Sequence, residues 1–186
     1  MSIRAFIAIS LTKEIQDKIF RIQEQLRRSN ADVKWVEPEN IHLTLKFLGN
    51  AEEKKIEEIK GILEKISEEY EKFSMELLKI GAFPKLSNPR VIWIGIEKGK
   101  EELQKIFSDL EEGLKKGGFK KEEREFSAHI TIGRVKSPLN RLKLLEEIKR
   151  ANFEKMNLLV TKITLFKSTL TPKGPIYESL YEADLK

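Results

Sequence analysis

Only two histidines occur in this chain of 186 residues, and both begin the same short pattern. They are Ile41-His42-Leu43-Thr44-Leu45 and Ala128-His129-Ile130-Thr131-Ile132. Threonine fills 7 of 186 positions, so chance would place Thr two residues after both histidines about once in 700, which is (7/186) squared. On a strand, residues two apart share a face roughly 6.5–7 Å apart. Each His then stands beside its own Thr, while Leu43, Leu45, Ile130 and Ile132 point to an apolar side. Imidazole, with an ordinary pKa of about 6.5, takes and returns protons near neutrality, so two of them make an acid–base pair. A Thr hydroxyl adds a donor for a non-bridging phosphate oxygen while the His serves a bridging or attacking one. The doubled pattern reads as a cradle for one phosphate. A single His-x-Thr would be more simply a half-buried histidine with threonine present for its β-propensity, and repetition reverses that preference. A metal site fits poorly, because two histidines with no cysteine and no carboxylate in either motif supply too few ligands for catalytic zinc.

Four segments with a helical period flank these motifs: Ile15, Ile19, Ile22, Leu26 behind a Thr12 cap; Ile56, Ile59, Leu63, Ile66; Leu103, Ile106, Phe107, Leu110, Leu114; and Leu139, Leu142, Leu145, Ile148. About twice as many stretches are strand-like: 3–9, 33–36, 41–48, 73–80, 90–96, 126–135, 153–166 and 176–183. That ratio disfavours a doubly wound parallel sheet and predicts an α+β fold of antiparallel sheets carrying helices. Neither G-x-x-x-x-G-K-[ST] nor G-x-G-x-x-G occurs, which argues against nucleotide-loop folds.

Composition narrows the rest. With no cysteine there is no disulfide framework and no thiolate nucleophile, and no apolar run nears the roughly 20 residues that span a bilayer. The expectation is a cytoplasmic protein without a membrane partner. Charged residues make up 35% of the chain, against about 25% typically, in both signs and with a net charge of +5. The surplus suits a polyanion such as RNA but equally a solvated surface.

The two motifs lie 87 residues apart, each between a preceding and a following helix, which points to pseudo-duplicated halves. The residues at this point resemble the two-histidine phosphoesterases, and within them the RNA 2′,3′-cyclic phosphodiesterases also called 2′-5′ RNA ligases. The resemblance runs through RAFIA from Arg4 to Ala8, IHLTLKFLG from Ile41 to Gly49, GAFP from Gly81 to Pro84, RVIWIG from Arg90 to Gly95 and LTPKGPIY from Leu170 to Tyr177. Ala128, where the family often has Pro, and Ile132, where Leu is common, depart from it while remaining apolar. It implies one bilobed domain over residues 1–186, with two antiparallel sheets flanking a central groove and helices on the outer faces. It also implies metal-free and cofactor-free hydrolysis of a 2′,3′-cyclic phosphate, on RNA ends or cyclic nucleotides, to a 2′-phosphate, with reversible 2′-5′ ligation and a monomeric state. The alternative is a non-catalytic module that binds RNA ends; retention of both histidines disfavours it, because Arg or Lys would serve binding as well.

Carried over by position, His42 and His129 are the catalytic pair, with His129 as base and His42 as acid, and Thr44 and Thr131 bind phosphate. Arg134, five residues after the second His, is a further phosphate ligand by resemblance, but an odd offset points it away on an ideal strand. A bulge or strand end near Gly133 would re-aim it. Lys46 has the right parity behind His42 and Thr44 to add charge to the groove. Phe6, Trp35, Phe47 and Phe83 are aromatic candidates for stacking a base, or for the core. The Lys- and Glu-rich, cysteine-free composition predicts a heat-stable protein; a melting midpoint near 50 °C, within the ordinary range of about 45–65 °C, would remove that expectation.

Overall fold

The computed structural model describes residues 2–186. Its elements in chain order are β1 (Ser2–Ser10), α1 (Lys13–Arg27), β2 (Val33–Trp35), a 3-10 turn (Pro38–Asn40), β3 (His42–Glu52), α2 (Glu53–Glu69), β4 (Phe73–Lys85), β5 (Asn88–Ile96), α3 (Lys100–Lys116), β6 (His129–Val135), α4 (Arg141–Arg150), β7 (Met156–Val160), β8 (Lys162–Thr171) and β9 (Gly174–Asp184). The strands form two antiparallel sheets, ordered β3-β1-β8-β9 and β2-β6-β5-β4-β7. This is the α+β arrangement that the strand-to-helix ratio predicts.

Setting β2 aside, the two orders are the same list. A motif strand (β3 or β6) pairs with the strand opening its half (β1 or β5), which pairs with a strand that has crossed over from the other half (β8 or β4). Each half therefore completes the other's sheet. The stretch 153–166, expected as one strand, is two for this reason: β7 pairs with β4 in one sheet, the chain leaves at Thr161, and β8 joins β1 in the other. Residues 126–128 likewise stay outside β6, which begins at His129.

Helix α1 is capped as expected, with the Thr12 hydroxyl accepting from the Ile15 amide at 3.4 Å. Ile15, Ile19, Ile22 and Leu26 are buried, as are Ile56, Ile59, Leu63 and Ile66 on α2 and Leu103, Ile106, Leu110 and Leu114 on α3. Helix α4 differs. Leu139 and Leu142 lie in solvent, and the buried pair is Leu144 and Ile148, one helical turn apart. Four leucines in one short segment left the choice of face open to packing. Within the described residues, no helix is long and apolar enough to cross a membrane.

Candidate active site

The motif strands β3 and β6 approach one another from the two sheets, and a groove of about 1610 Å³ opens between them. His42, Thr44, His129, Thr131 and Arg134 all line it. A site for one small ligand occupies about 300–1,000 Å³, so this groove has room for more than one nucleotide. Apart from Lys46, seven Lys or Arg and five Glu residues line it, which concentrates the chain's modest positive charge where an anion would sit.

Both imidazoles are held in the same way. Nδ1 of His42 donates to the Asn40 carbonyl at 2.7 Å, and Nδ1 of His129 donates to the Ser127 carbonyl at 2.6 Å, each acceptor being two residues upstream. With the proton on Nδ1, the neutral ring leaves Nε2 as a base. Nε2 of His42 accepts from the Thr44 hydroxyl at 3.0 Å, whereas no protein group among the described residues bonds Nε2 of His129. Aromatic rings support both. Phe6 and Tyr177 lie 4.9 Å and 5.4 Å from the His42 ring, and Phe83 stands edge-on to His129 at 5.0 Å, with Trp93 behind at 6.5 Å. Trp93 lies over Gly81, where a Cβ would collide with the indole, so only glycine fits.

Burial lowers the pKa of both histidines, because it disfavours the charged ring; the backbone carbonyl on each Nδ1 partly offsets this. The Arg134 charge lowers that of His129 further. Tyr177 is shifted up by burial, against the opposing charges of Arg134 and Arg4.

An extra residue just after the threonine of each motif strand sets the facing of the two residues that follow it. Along β6, Thr131 pairs with Trp93 and Gly133 with Ile92, so Ile132 is a bulge. Along β3, Thr44 pairs with Ala8 and Lys46 with Ile7, so Leu45 is the matching bulge. The first six residues of the two strands share one burial sequence: half-buried His and Thr alternating with buried apolar residues, then two buried in succession, then an exposed residue. The bulge turns Arg134 back to the groove side, where its charge acts on His129. The carbonyl of Ile132 receives the Val36 amide at 3.0 Å and the amide of the buried Gln23 side chain at 2.8 Å. Gly133 faces inward, where a Cβ would press on Val33 and Trp35.

The same shift corrects the expectation for Lys46. Parity counted on an unbroken strand puts it beside His42 and Thr44, but the bulge turns it inward. It is 5% exposed, ion-paired with Glu111 of α3 at 2.5 Å and donating to the Lys120 carbonyl at 3.0 Å. Glu111 also accepts from the Glu122 amide at 2.7 Å, and Phe126 stacks on Phe107 at 4.5 Å. Lys46 thus anchors the segment after α3, whose residues Lys121 to Ser127 wall the groove.

Sequence reasoning gave no role to Asn40, Gln23 or Tyr177. Asn40 joins two parts of the site, since its carbonyl holds His42 and its side chain donates to the Pro175 carbonyl at 3.0 Å, two residues from Tyr177. Neither link has a local signature. Of the four aromatic candidates, Phe6 and Trp35 are core at 3% and 9% exposure, Phe83 is half-buried, and Phe47 is 63% exposed.

The family described as LigT like Phosphoesterase matches this chain twice, over residues 9–93 and 94–177, one match to each half. An RNA 2′,3′-cyclic phosphodiesterase of Methanothermobacter thermautotrophicus is 40% identical over 185 residues, covering 97% of each chain. A protein of that description from Thermotoga maritima is 39% identical, covering 98% of this chain and 96% of its own. Among solved structures, a Thermus thermophilus protein superposes with a TM-score of 0.81 at 25% identity, over 98% of this chain and 97% of that one. E. coli LigT complexed with 3′-AMP superposes at 0.78 and 23% identity, over 100% and 99%, which establishes the shared fold.

Two variants test this geometry. Lys46→Met strands Glu111 without its partner and is expected to cost about 3–5 kcal/mol in chemical denaturation, part of which the Lys46→Met/Glu111→Leu double variant regains. Arg134→Gln removes a charge that disfavours protonated His129, so the pKa of His129 rises toward the ordinary value; titration of the ring by NMR in the free protein is expected to show that rise at His129 and little change at His42.

Proposed function

The chain belongs to the LigT-like phosphoesterases, and we propose that it hydrolyses RNA 2′,3′-cyclic phosphates to 2′-phosphates with His42 and His129 as its proton-transfer pair. The observation that carries this reading is that both imidazoles spend Nδ1 on a backbone carbonyl, which leaves both Nε2 atoms for chemistry in one groove. Thr44, Thr131 and Arg134 hold the non-bridging oxygens. Lys46 acts at one remove, by fixing the wall.

In the reaction, His129 Nε2 takes a proton from water as the water oxygen bonds to phosphorus. The bond from phosphorus to the ribose 3′ oxygen breaks on the opposite side, and His42 gives its Nε2 proton to that oxygen. The Arg134 charge supports this assignment, because it favours neutral His129 and bears on no such shift at His42. Burial favours the neutral form of both rings, and an arriving phosphate anion stabilises the imidazolium that the acid requires. Run in the same direction with a 5′-hydroxyl in place of water as the attacking group, the same two transfers form a 2′-5′ linkage.

No metal or cofactor enters this scheme, and the described residues contain no group of three or more His, Cys, Asp or Glu side chains gathered as for a metal ion. One chain supplies both histidines, so we assign the activity to a monomer acting as one bilobed domain over residues 1–186, on cytoplasmic RNA ends or cyclic nucleotides.

Phosphorus NMR of an oligonucleotide ending in a 2′,3′-cyclic phosphate, in excess EDTA, tests the scheme. The expected result is conversion to the 2′-phosphate by wild type, with losses of at least about 10²-fold for His42→Ala and His129→Ala. Conversion abolished by EDTA would overturn the metal-free scheme, and tight binding without turnover would identify an RNA-end-binding module instead.

A further inference from the structure

Every strand of one sheet has a counterpart in the other except β2, the edge strand beside β6; no strand flanks β3 in that way. β2 is short, and its ladder to β6 pairs Val33 with Val135, Lys34 with Arg134 and Trp35 with Gly133. Trp35 is buried, while Lys34 is exposed and lines the groove directly across from Arg134. The pairing runs one residue past the end of β6, where the Lys136 amide donates to the Asp32 carbonyl at 2.8 Å, and Lys136 lines the groove as well. The extra strand thus sets a second cation beside Arg134, with a third two residues on.

Opposed residues on neighbouring strands stand about 4.5–5.5 Å apart at Cα, and like charges placed so are destabilising. Nothing nearby relieves the strain of charge. Among the described residues, none of Lys34, Arg134 and Lys136 has an ion-pair partner. Asp32, across from Lys136, gives its carbonyl to the ladder and no carboxylate contact to the lysine, and Glu37 and Glu39 line the groove from beyond the other end of β2. Three unneutralised cations on one face suit more negative charge than a single cyclic phosphate carries. Arg134 meets that phosphate in the scheme above, which leaves Lys34 and Lys136 for a second anion.

In-line displacement decides which anion that is. His42, on β3, protonates the ribose 3′ oxygen, so the terminal ribose and the strand it ends lie to that side of phosphorus. The attacking oxygen arrives from the opposite side, beside His129 on β6. When the attacker is a 5′-hydroxyl it brings its own strand, whose first phosphodiester follows one nucleoside later. Resting on the cyclic-phosphate reading above, we propose that Lys34 and Lys136 bind this phosphodiester, which makes the β2–β6 edge the docking site of the incoming 5′-hydroxyl RNA in 2′-5′ joining. The 5′-hydroxyl gives its proton to His129 as its oxygen bonds to phosphorus, and the 3′ oxygen leaves with the proton of His42. A 2′-5′ diester and a free 3′-hydroxyl result. Alternate residues on a strand lie about 6.5–7 Å apart, so Lys136 stands one nucleotide step from Arg134, and the free edge of β2 leaves room for the strand to run on. Lysines that meet phosphate fix the strand's position and read no base, so the site accepts an RNA end of any sequence.

The test follows hydrolysis and joining side by side on adenosine 2′,3′-cyclic phosphate with two acceptors: the dinucleotide ApA, which has a 5′-hydroxyl and one phosphodiester, and adenosine, which has no phosphate. The Lys34→Gln/Lys136→Gln variant is expected to raise KM for ApA about tenfold, with KM for adenosine and the hydrolysis of the cyclic phosphate as in wild type. Lys34→Arg/Lys136→Arg is expected to restore KM for ApA. Joining to ApA should also fall more steeply with added salt in wild type than in the Gln variant. Equal penalties on both acceptors, or none on either, would overturn the proposal. A third substrate separates the two strands: an oligonucleotide ending in the cyclic phosphate, hydrolysed without acceptor. A raised KM for that oligonucleotide in the Gln variant, with KM for ApA unchanged, would give the lysines to the donor strand and overturn the acceptor site. A wild type that hydrolyses but never joins, even at saturating ApA, overturns the acceptor site and leaves hydrolysis standing, whereas one that does neither overturns both.

Discussion

The residue added just after each motif threonine, Leu45 in β3 and Ile132 in β6, governs this groove. A strand turns its side chains to alternate faces, so a bulge exchanges inside and outside for the residues that follow it, up to the next irregularity. Here it occurs between the threonine and the next residue able to reach the ligand. Lys46 and Gly133, which alternation alone would aim at the histidines, go to the core, while Phe47 and Arg134 go to the groove. The structure is arranged to accept what is thereby forced inward. Glycine makes room for Trp35 at one bulge, and Glu111 neutralises the lysine at the other. The displaced carbonyl of Ile132 would cost about 1–3 kcal/mol if left bare, and Gln23 and Val36 supply its partners.

The electrostatics depend on the same packing. Desolvation outweighs the carbonyl clamp on each Nδ1, which favours the neutral form of both imidazoles. Their surroundings differ. His42 sits under Phe6 and Tyr177 and already shares a hydrogen bond with Thr44, while His129 has an open Nε2 and a guanidinium nearby. Like residues in like strands thus sit among unlike neighbours.

Much of this was legible in the sequence where the signal is local. Paired His-x-Thr segments, the Thr12 cap and three apolar stripes all describe runs of a few residues, and the structure reproduces them. Long-range signals were harder to read. Parity reasoning left Arg134 dependent on a bulge and aimed Lys46 at the groove, because a bulge is a relation between two strands and only one of them carries the extra residue. The stripe of α4 was misread for a similar reason: Leu139, Leu142, Leu144 and Leu145 offer several faces, and the neighbours choose one. The break at Thr161 reflects a change of sheet, which no pattern within residues 153–166 encodes.

The exchange of β4 and β8 between the halves bears on how such a molecule arises. Neither half could close its own sheet alone, since each needs the other's crossing strand at its centre. A single half, made as a separate chain, would satisfy both sheets by pairing with a copy of itself as an intertwined homodimer, with its twofold axis running through one shared groove. In that dimer the residue five places after each histidine is necessarily identical on both walls. Joining two copies into one polypeptide releases that symmetry, so one wall can carry a guanidinium and the other a phenyl ring. On this view, direction in the groove is something that only a fused chain can encode.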